Sequence, residues 1–387
     1  MTIRNVNAHL HTPYSFSAFS ELTQALDMAV AEGVSVVGIN DFYSTDGYEA
    51  WATECSKRHL YPLFNIEFIS LNEADQKAGL RVNDPGNPGR TYLSGKGLAY
   101  PFKLAEPFAT RLATVRAEAN AQVESMCARL NEVLLASNAG FSLDVEWIRA
   151  NLTMGSIRER HLAKALRIKA CEACFNDEVA VKALFLKLFS GKELKSDVSD
   201  VAGVENEIRS NLLKAGGAAF VPEDPKAFLP MRTVCDIILA AGGIPTYPFL
   251  ADDAKGVYTD FEGDLEKVAK TLTERGFSSV EFITTRNDVV LLEKYALYLH
   301  EQGFVVTFGS EHNTPAMEPL ELFARQSTPL TDTLKKINYE GACVVAAHQY
   351  VVAQGLPGYV GANGVADRSK RDEYIKLGDQ LISRVVE

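Results

Sequence analysis

Short β-branched runs that stop at a polar residue alternate, twice over, with segments of helical spacing, and no other feature restricts the fold as much. Residues 6–9, Val6-Asn7-Ala8-His9, end a first strand. Leu22, Leu26, Ala29 and Val30 then recur every three or four positions, and residues 34–39 form a second run that stops at Asn40-Asp41. A helix follows from Tyr48 to about His59, and a third strand covers residues 62–67, closing on Glu67. The order returns after residue 230, with strands at 244–247, 280–283 and 304–308 and helices from Leu265 and Val289 between them. Parallel neighbours need crossover connections, so these six strand signals predict one parallel α/β sheet or barrel.

The 387 residues exceed what one core usually accommodates, and the pattern between the two halves differs. There Leu112, Val115, Ala119, Val123, Met126, Leu130 and Val133 make one apolar helical stripe, and a second helix-rich stretch starts at His161. The expected organisation is a discontinuous barrel of residues 1–100 and 226–325, a helical insertion at 101–225 and a C-terminal extension at 326–387. That extension could cap the barrel or pair with another subunit, which keeps a homo-oligomer open. Cys171 and Cys174, the closest pair of the six cysteines, read as one helix face.

Charge narrows the partners. With 39 Lys and Arg against 50 Asp and Glu the chain carries −11, which disfavours long nucleic acid but leaves room for one basic pocket around a small anion. No apolar run approaches the roughly eighteen residues of a membrane span, and Met1-Thr2-Ile3-Arg4 is no secretory start, so a cytoplasmic protein is expected.

In parallel α/β folds, chemistry sits at the carboxyl ends of the strands. Here those ends carry His9 and His11, Asp41, Glu67, Tyr247, Glu281 with Arg286, and Glu311 with His312. Strand alternation puts His9 and His11 on one face, two residues apart, able to share one cation. Alone, that pair also fits a surface strand with two polar residues. Carboxylates closing later strands favour the metal, because imidazole with carboxylate suits zinc, manganese or iron.

The order of these segments resembles a known family. His9-Leu10-His11-Thr12, the run from Asn40 to Gly47, Asn65-Ile66-Glu67, the run from Ala241 to Pro248, and Gly309-Ser310-Glu311-His312 are similar, in sequence order, to the motifs of the PHP (polymerase and histidinol phosphatase) family. Arg160-His161 also resembles the arginine-histidine helix in the insertion of its tryptophan-operon-associated phosphoesterases. The resemblance implies a distorted, TIM-like (β/α)7 barrel whose strand ends hold up to three divalent metals used to hydrolyse phosphoesters. This chain departs from it where Phe16, Phe42 and Tyr247 stand at ligand positions and where Glu311-His312-Asn313 ends the last motif. Phe cannot bind a metal, so fewer than three ions, of Zn, Mn or Fe, are expected, held by His9, His11, Glu67 and Glu311.

His312, one residue early, either swings inward as a further ligand or points away. Asp41 either binds a metal, orients a ligand imidazole through a hydrogen bond, or caps a helix. The Gly- and Pro-rich segment 83–97 reads as a loop across the mouth, with Arg90 and Lys96 available to clamp an anion. Arg160 and Arg286 are further candidates for anion binding, Tyr247 for a substrate wall, and His161 for an acid toward a leaving oxygen. His59, His300 and His348 read as ordinary. The leading expectation is a metal-dependent hydrolase of a small phosphorylated or anionic substrate. A degenerate barrel that binds such an anion without turnover is the alternative, and an amidohydrolase-like C–N or C–O hydrolase the third.

Overall fold

The computed structural model describes residues 1–252, 256 and 258–387. Seven strands form one barrel-like sheet in the spatial order of the chain: β1 (Asn5–Leu10), β2 (Val34–Phe42), β3 (Tyr61–Leu71), β4 (Arg90–Lys96), β5 (Ile244–Phe249), β6 (Ser279–Ile283) and β7 (Val305–Gly309). All neighbours are parallel except β4, which runs against both β3 and β5. A two-residue strand, Leu229–Pro230, adds to the far end of β3. Helices Leu22–Ala31, Tyr48–Lys57, Met231–Ala240 and Val289–Glu301 pack around it, burying residues such as Leu26, Trp51, Ile238 and Leu292. This is the distorted TIM-like α/β barrel.

One strand corrects the sequence reading. Residues 90–96 were expected in a loop but form β4, pairing Ser94 with both Glu67 and Thr246. Flanking Gly and Pro hide a short alternation in which Thr91, Leu93 and Ser94 are fully buried. Arg90 and Lys96 therefore lie at opposite ends of a strand rather than together at the mouth.

The seam between β7 and β1 is incomplete and is closed by other means. Leu10 and Glu311 form an isolated parallel bridge, with His11 N donating to Glu311 O at 2.8 Å and Glu311 N to His9 O at 3.0 Å. Lower down, Asn338 fills the gap with its amide, donating to Val6 O at 3.0 Å and accepting from Phe308 N at 2.8 Å. The strands approach so closely that a Cβ on Gly309 would lie 2.2 Å from His9 Cβ, so only glycine fits there.

Asn338 belongs to the helix Asp332–Ala353, buried almost continuously from Ile337 to Gln349. With helix Arg371–Val386 it packs on Val6, Val36, Tyr61, Leu63, Ile244 and Val305, all within the first three residues of their strands, and so caps the end of the barrel away from the strands' carboxyl ends. The segment between β4 and β5 builds a separate apolar cluster around Leu130, Leu166, Phe185 and Ile208. It is stitched to the loop after β1 by Met154 N to Pro13 O, 3.1 Å, and Ser156 N to Tyr14 O, 3.2 Å. Among the described residues no helix is long and apolar enough to cross a membrane.

Candidate metal centre

β1 alternates so that Asn7, His9 and His11 share its inner face, and parallel register brings the end of β3 alongside β2, with Glu67 opposite Phe42. His9 Nε2, His11 Nε2 and Glu67 Oε2 converge there, in a fully buried cluster. The three atoms stand 3.3 Å (His9 to His11), 3.0 Å (His11 to Glu67) and 3.5 Å (His9 to Glu67) apart. Ligands held at about 2.0–2.2 Å around a tetrahedral ion are separated by roughly 3.3 Å, so the triangle already has the dimensions of three corners of such a site. Glu67 Oε2 is buried without a hydrogen-bond donor, as an oxygen awaiting a cation would be.

The groups behind the triangle fix its ring orientations. His9 Nδ1 is 3.0 Å from Glu281 Oε2, which also accepts from Lys96 Nζ at 2.5 Å, while Ser94 Oγ donates to the other carboxylate oxygen. The amide of Asn40 lies against the His9 ring at 2.9–3.0 Å. Asp41 accepts from Thr12 N at 2.8 Å, Thr12 Oγ1 at 2.5 Å and Ser15 Oγ at 2.5 Å. Ser15 has spent its one hydrogen on Asp41, so its oxygen, 3.3 Å from His11 Nδ1, accepts from that ring. Both histidines are thereby held with Nδ1 protonated and Nε2 turned to the triangle.

Electrostatics point the same way. Burial alone would lower the His9 pKa, but the Glu281 carboxylate beside it, helped by Glu67, raises it to about 9. Burial likewise disfavours ionised Glu67 and Glu281. The two histidines nevertheless hold Glu67 down to about 2, and Lys96 and His9 keep Glu281 well below the usual carboxylate range. Asp41, by contrast, is raised by burial against the pull of His11. Two buried carboxylates thus face one buried lysine, and the remaining negative charge is balanced by a proton on His9 or by a cation in the triangle.

Glu67 opens onto a cavity of about 350 Å³ whose wall includes Arg158, Arg160, Arg209 and Arg286. Arg286 pairs with Glu311 at 2.5 Å and Arg209 with Glu159 at 2.6 Å. Arg158 makes no ion pair among the described residues; its guanidinium lies 4.6 Å from the Phe42 ring centroid, and Phe42 in turn stacks on His11 at 5.0 Å and 20°. Arg160 rests 5.6 Å from the Phe16 ring. The two phenylalanines that stand at ligand positions of the resembled family therefore serve as platforms for arginines.

The other candidate residues fall in several places. Glu311, Arg160 and Arg286 line the cavity, but the Glu311 carboxylate is held by Arg286 and by Asn313 Nδ2 at 2.9 Å and is not one of the three converging ligands. Its backbone and that of His312 are left-handed, φ 64 and 53, a turn that sends the two side chains apart. His312 points away, stacked on Phe19 at 5.0 Å, with Nδ1 2.7 Å from Ser310 Oγ and Nε2 2.8 Å from Glu318 O. Lys96 lies within the barrel beneath His9, bound to Glu281 and Ala8 O, out of reach of a substrate. Arg90 pairs with Glu223 at 2.8 Å and stacks on Phe228, outside the cavity. Tyr247 alternates outward from β5, its hydroxyl donating to Glu262 at 2.6 Å among Phe249, Phe261 and Phe277. His161 sits behind Phe16, edge-on at 4.9 Å, and lines a different cavity.

Sequence reasoning left Ser15, Asn40, Arg158 and Arg209 unassigned and gave Glu281 no role. Glu281 had a signal, as an acid on the inner face of a strand; the arginines had none, because the insertion's placement over the barrel is a tertiary event.

No protein-family model matches this chain, and a search of curated proteins finds no match. Among solved structures it is similar to a protein assigned as a metal-dependent phosphoesterase from Bifidobacterium adolescentis, with TM-score 0.57 and 16% identity over 87% of this chain and 96% of that one. It is also similar to an amidohydrolase from Chromobacterium violaceum determined with bound sulfate and no metal, with TM-score 0.52 and 14% identity over 86% and 96%. At such identities the likeness is one of fold.

Proposed function

We propose that this chain is a divalent-metal-dependent hydrolase acting on a phosphoester of a small anionic molecule. The observation that carries this reading is the His9–His11–Glu67 triangle opening directly onto an arginine-lined cavity. A likeness in fold to a protein assigned as a metal-dependent phosphoesterase, and to another that holds sulfate, supports it.

His9 and His11 would hold the ion through Nε2 and Glu67 through Oε2. When bound, a divalent ion supplies Lewis acidity to water and to a phosphoryl oxygen. The protein's own groups do the rest. Arg158 and Arg160, stacked on aromatic rings and free of carboxylate partners among the described residues, receive the substrate's negative oxygens. Arg286, shared with Glu311, offers charge from the opposite wall. Phe42, stacked on His11, puts an apolar ring on that flank of the triangle.

The test is elemental analysis of the full chain beside a His9→Ala, His11→Ala double variant, followed by a phosphomonoester and diester screen. One equivalent of Zn, Mn or Fe in the wild type, lost with turnover in the double variant, is the expected result; metal retained by the double variant overturns the centre. Phe16 and Phe42, in place of ligands, favour a second reading, an anion-binding barrel without turnover. Saturable binding of phosphate with no product from any phosphoester, metal present, would select it.

A further inference from the structure

Phe16 separates the arginine-lined cavity from a second one, of about 290 Å³, at the seam where the insertion meets the loop after β1. Its wall includes Pro13, Ser17, Asn151, Met154, His161 and Lys164, and among the described residues no Asp or Glu lines it, although acids outnumber bases in this chain by eleven. His161 is only 2% exposed. Its Nδ1 accepts from Arg158 N at 2.9 Å, so the ring hydrogen resides on Nε2, and Nε2 has no partner among the described residues. Burial holds the ring far below its usual pKa, near 3, so it is a neutral donor. Lys164 lies three residues on, on the same helix face, and makes no ion pair among the described residues.

A cavity lined by a histidine whose Nε2–H has no partner and by a lysine without an ion pair, with no carboxylate in its wall among the described residues, suits oxygen acceptors. We propose that this second cavity binds an oxyanion, a phosphate or carboxylate group, between His161 Nε2–H and the Lys164 ammonium. Phe16, whose ring faces His161 on one side and carries Arg160 near it, is the partition between this anion and whatever lies over the metal centre. The site stands whether or not the neighbouring centre turns over.

The test uses metal-stripped, full-length protein labelled with [15N]histidine, whose seven histidines give few signals, with His161 assigned by His161→Gln. Titration with inorganic phosphate is expected to shift the His161 Nε2 signal saturably. In Lys164→Met, which keeps the packing stem, the midpoint is expected to rise by about tenfold or more while the other histidine signals stay in place. A signal that does not move, or an unchanged midpoint in Lys164→Met, overturns the proposal. Repeating the titration with phenyl phosphate separates the sources. If the ester produces the same shift, the cavity takes a group of a larger substrate; if free phosphate alone does so, it takes a free anion.

Discussion

His9 depends on a neighbour two strands away. Glu281 fixes its tautomer, and Lys96 keeps Glu281 ionised in a place with no solvent. Glu281→Gln keeps the shape but removes the charge that makes the imidazole a good ligand, so metal affinity, read by competition with a chromophoric chelator, should fall about 10–100-fold. Lys96→Met should be worse for folding than for metal. It strands a buried carboxylate, and urea unfolding is expected to show a loss of about 3–5 kcal/mol, largely recovered when Glu281→Leu is added. If Lys96→Met unfolds like the wild type, the pair does not carry the charge balance assigned to it. Of these residues, His9, His11 and Glu67 were legible in sequence because strand period alone aims them. Glu311 and His312 were not, because two left-handed residues in succession reverse the expected directions at the end of β7.

The last elements in the chain close the barrel at the end opposite the site. Helix Asp332–Ala353 reaches the backbone of β7 so closely that a Cβ on Gly341 would lie 1.9 Å from Val306 O. Gly341→Ala should therefore destabilise, by roughly 1–3 kcal/mol, although alanine is the better helix former by about 1 kcal/mol. A thermal melt with an unchanged or higher midpoint would remove that close approach from the argument. Asn338, on the same helix, supplies the hydrogen bonds that β1 and β7 do not make with each other. The sequence reading left this stretch as an undivided C-terminal extension, and nothing local says that a side-chain amide will finish a barrel. β4 was missed for the converse reason: a strand of seven residues between glycines and prolines is specified by the edges of β3 and β5, not by its own pattern.

Across the molecule, two buried histidines tie distant parts of the chain to one protonation state. His348 lies 2.7 Å from Gly242 O through Nε2, linking the C-terminal cap to the start of β5, and burial lowers its pKa from 6.5 to about 4. His161, lowered to about 3 by burial and the charge of Lys164, does the same for the insertion. A folded-state pKa below the unfolded one contributes stability that is full above about pH 6.5 and is lost as pH falls toward the folded value. For His348 the loss by pH 4 is on the order of 3 kcal/mol. Stability from denaturant melts should decline between pH 6.5 and 4, and His348→Gln, which retains a donor for Gly242 O, should flatten that decline; an equally steep acid limb in the variant would place its origin elsewhere.

What this sequence determines by itself is whatever repeats along the chain. Periods of two and 3.6 select strands and helices, their alternation selects a parallel barrel, and a strand's end selects the histidine pair, all through contacts between near neighbours. Only the tertiary structure decides which charges meet. The insertion brings Arg158 and Arg160 over Phe42 and Phe16, β4 slides Lys96 beneath His9, and the final helices seal the barrel's other end. Those meetings join residues far apart in sequence, and electrostatic and packing energies depend on distance in space, on which a local pattern carries no information.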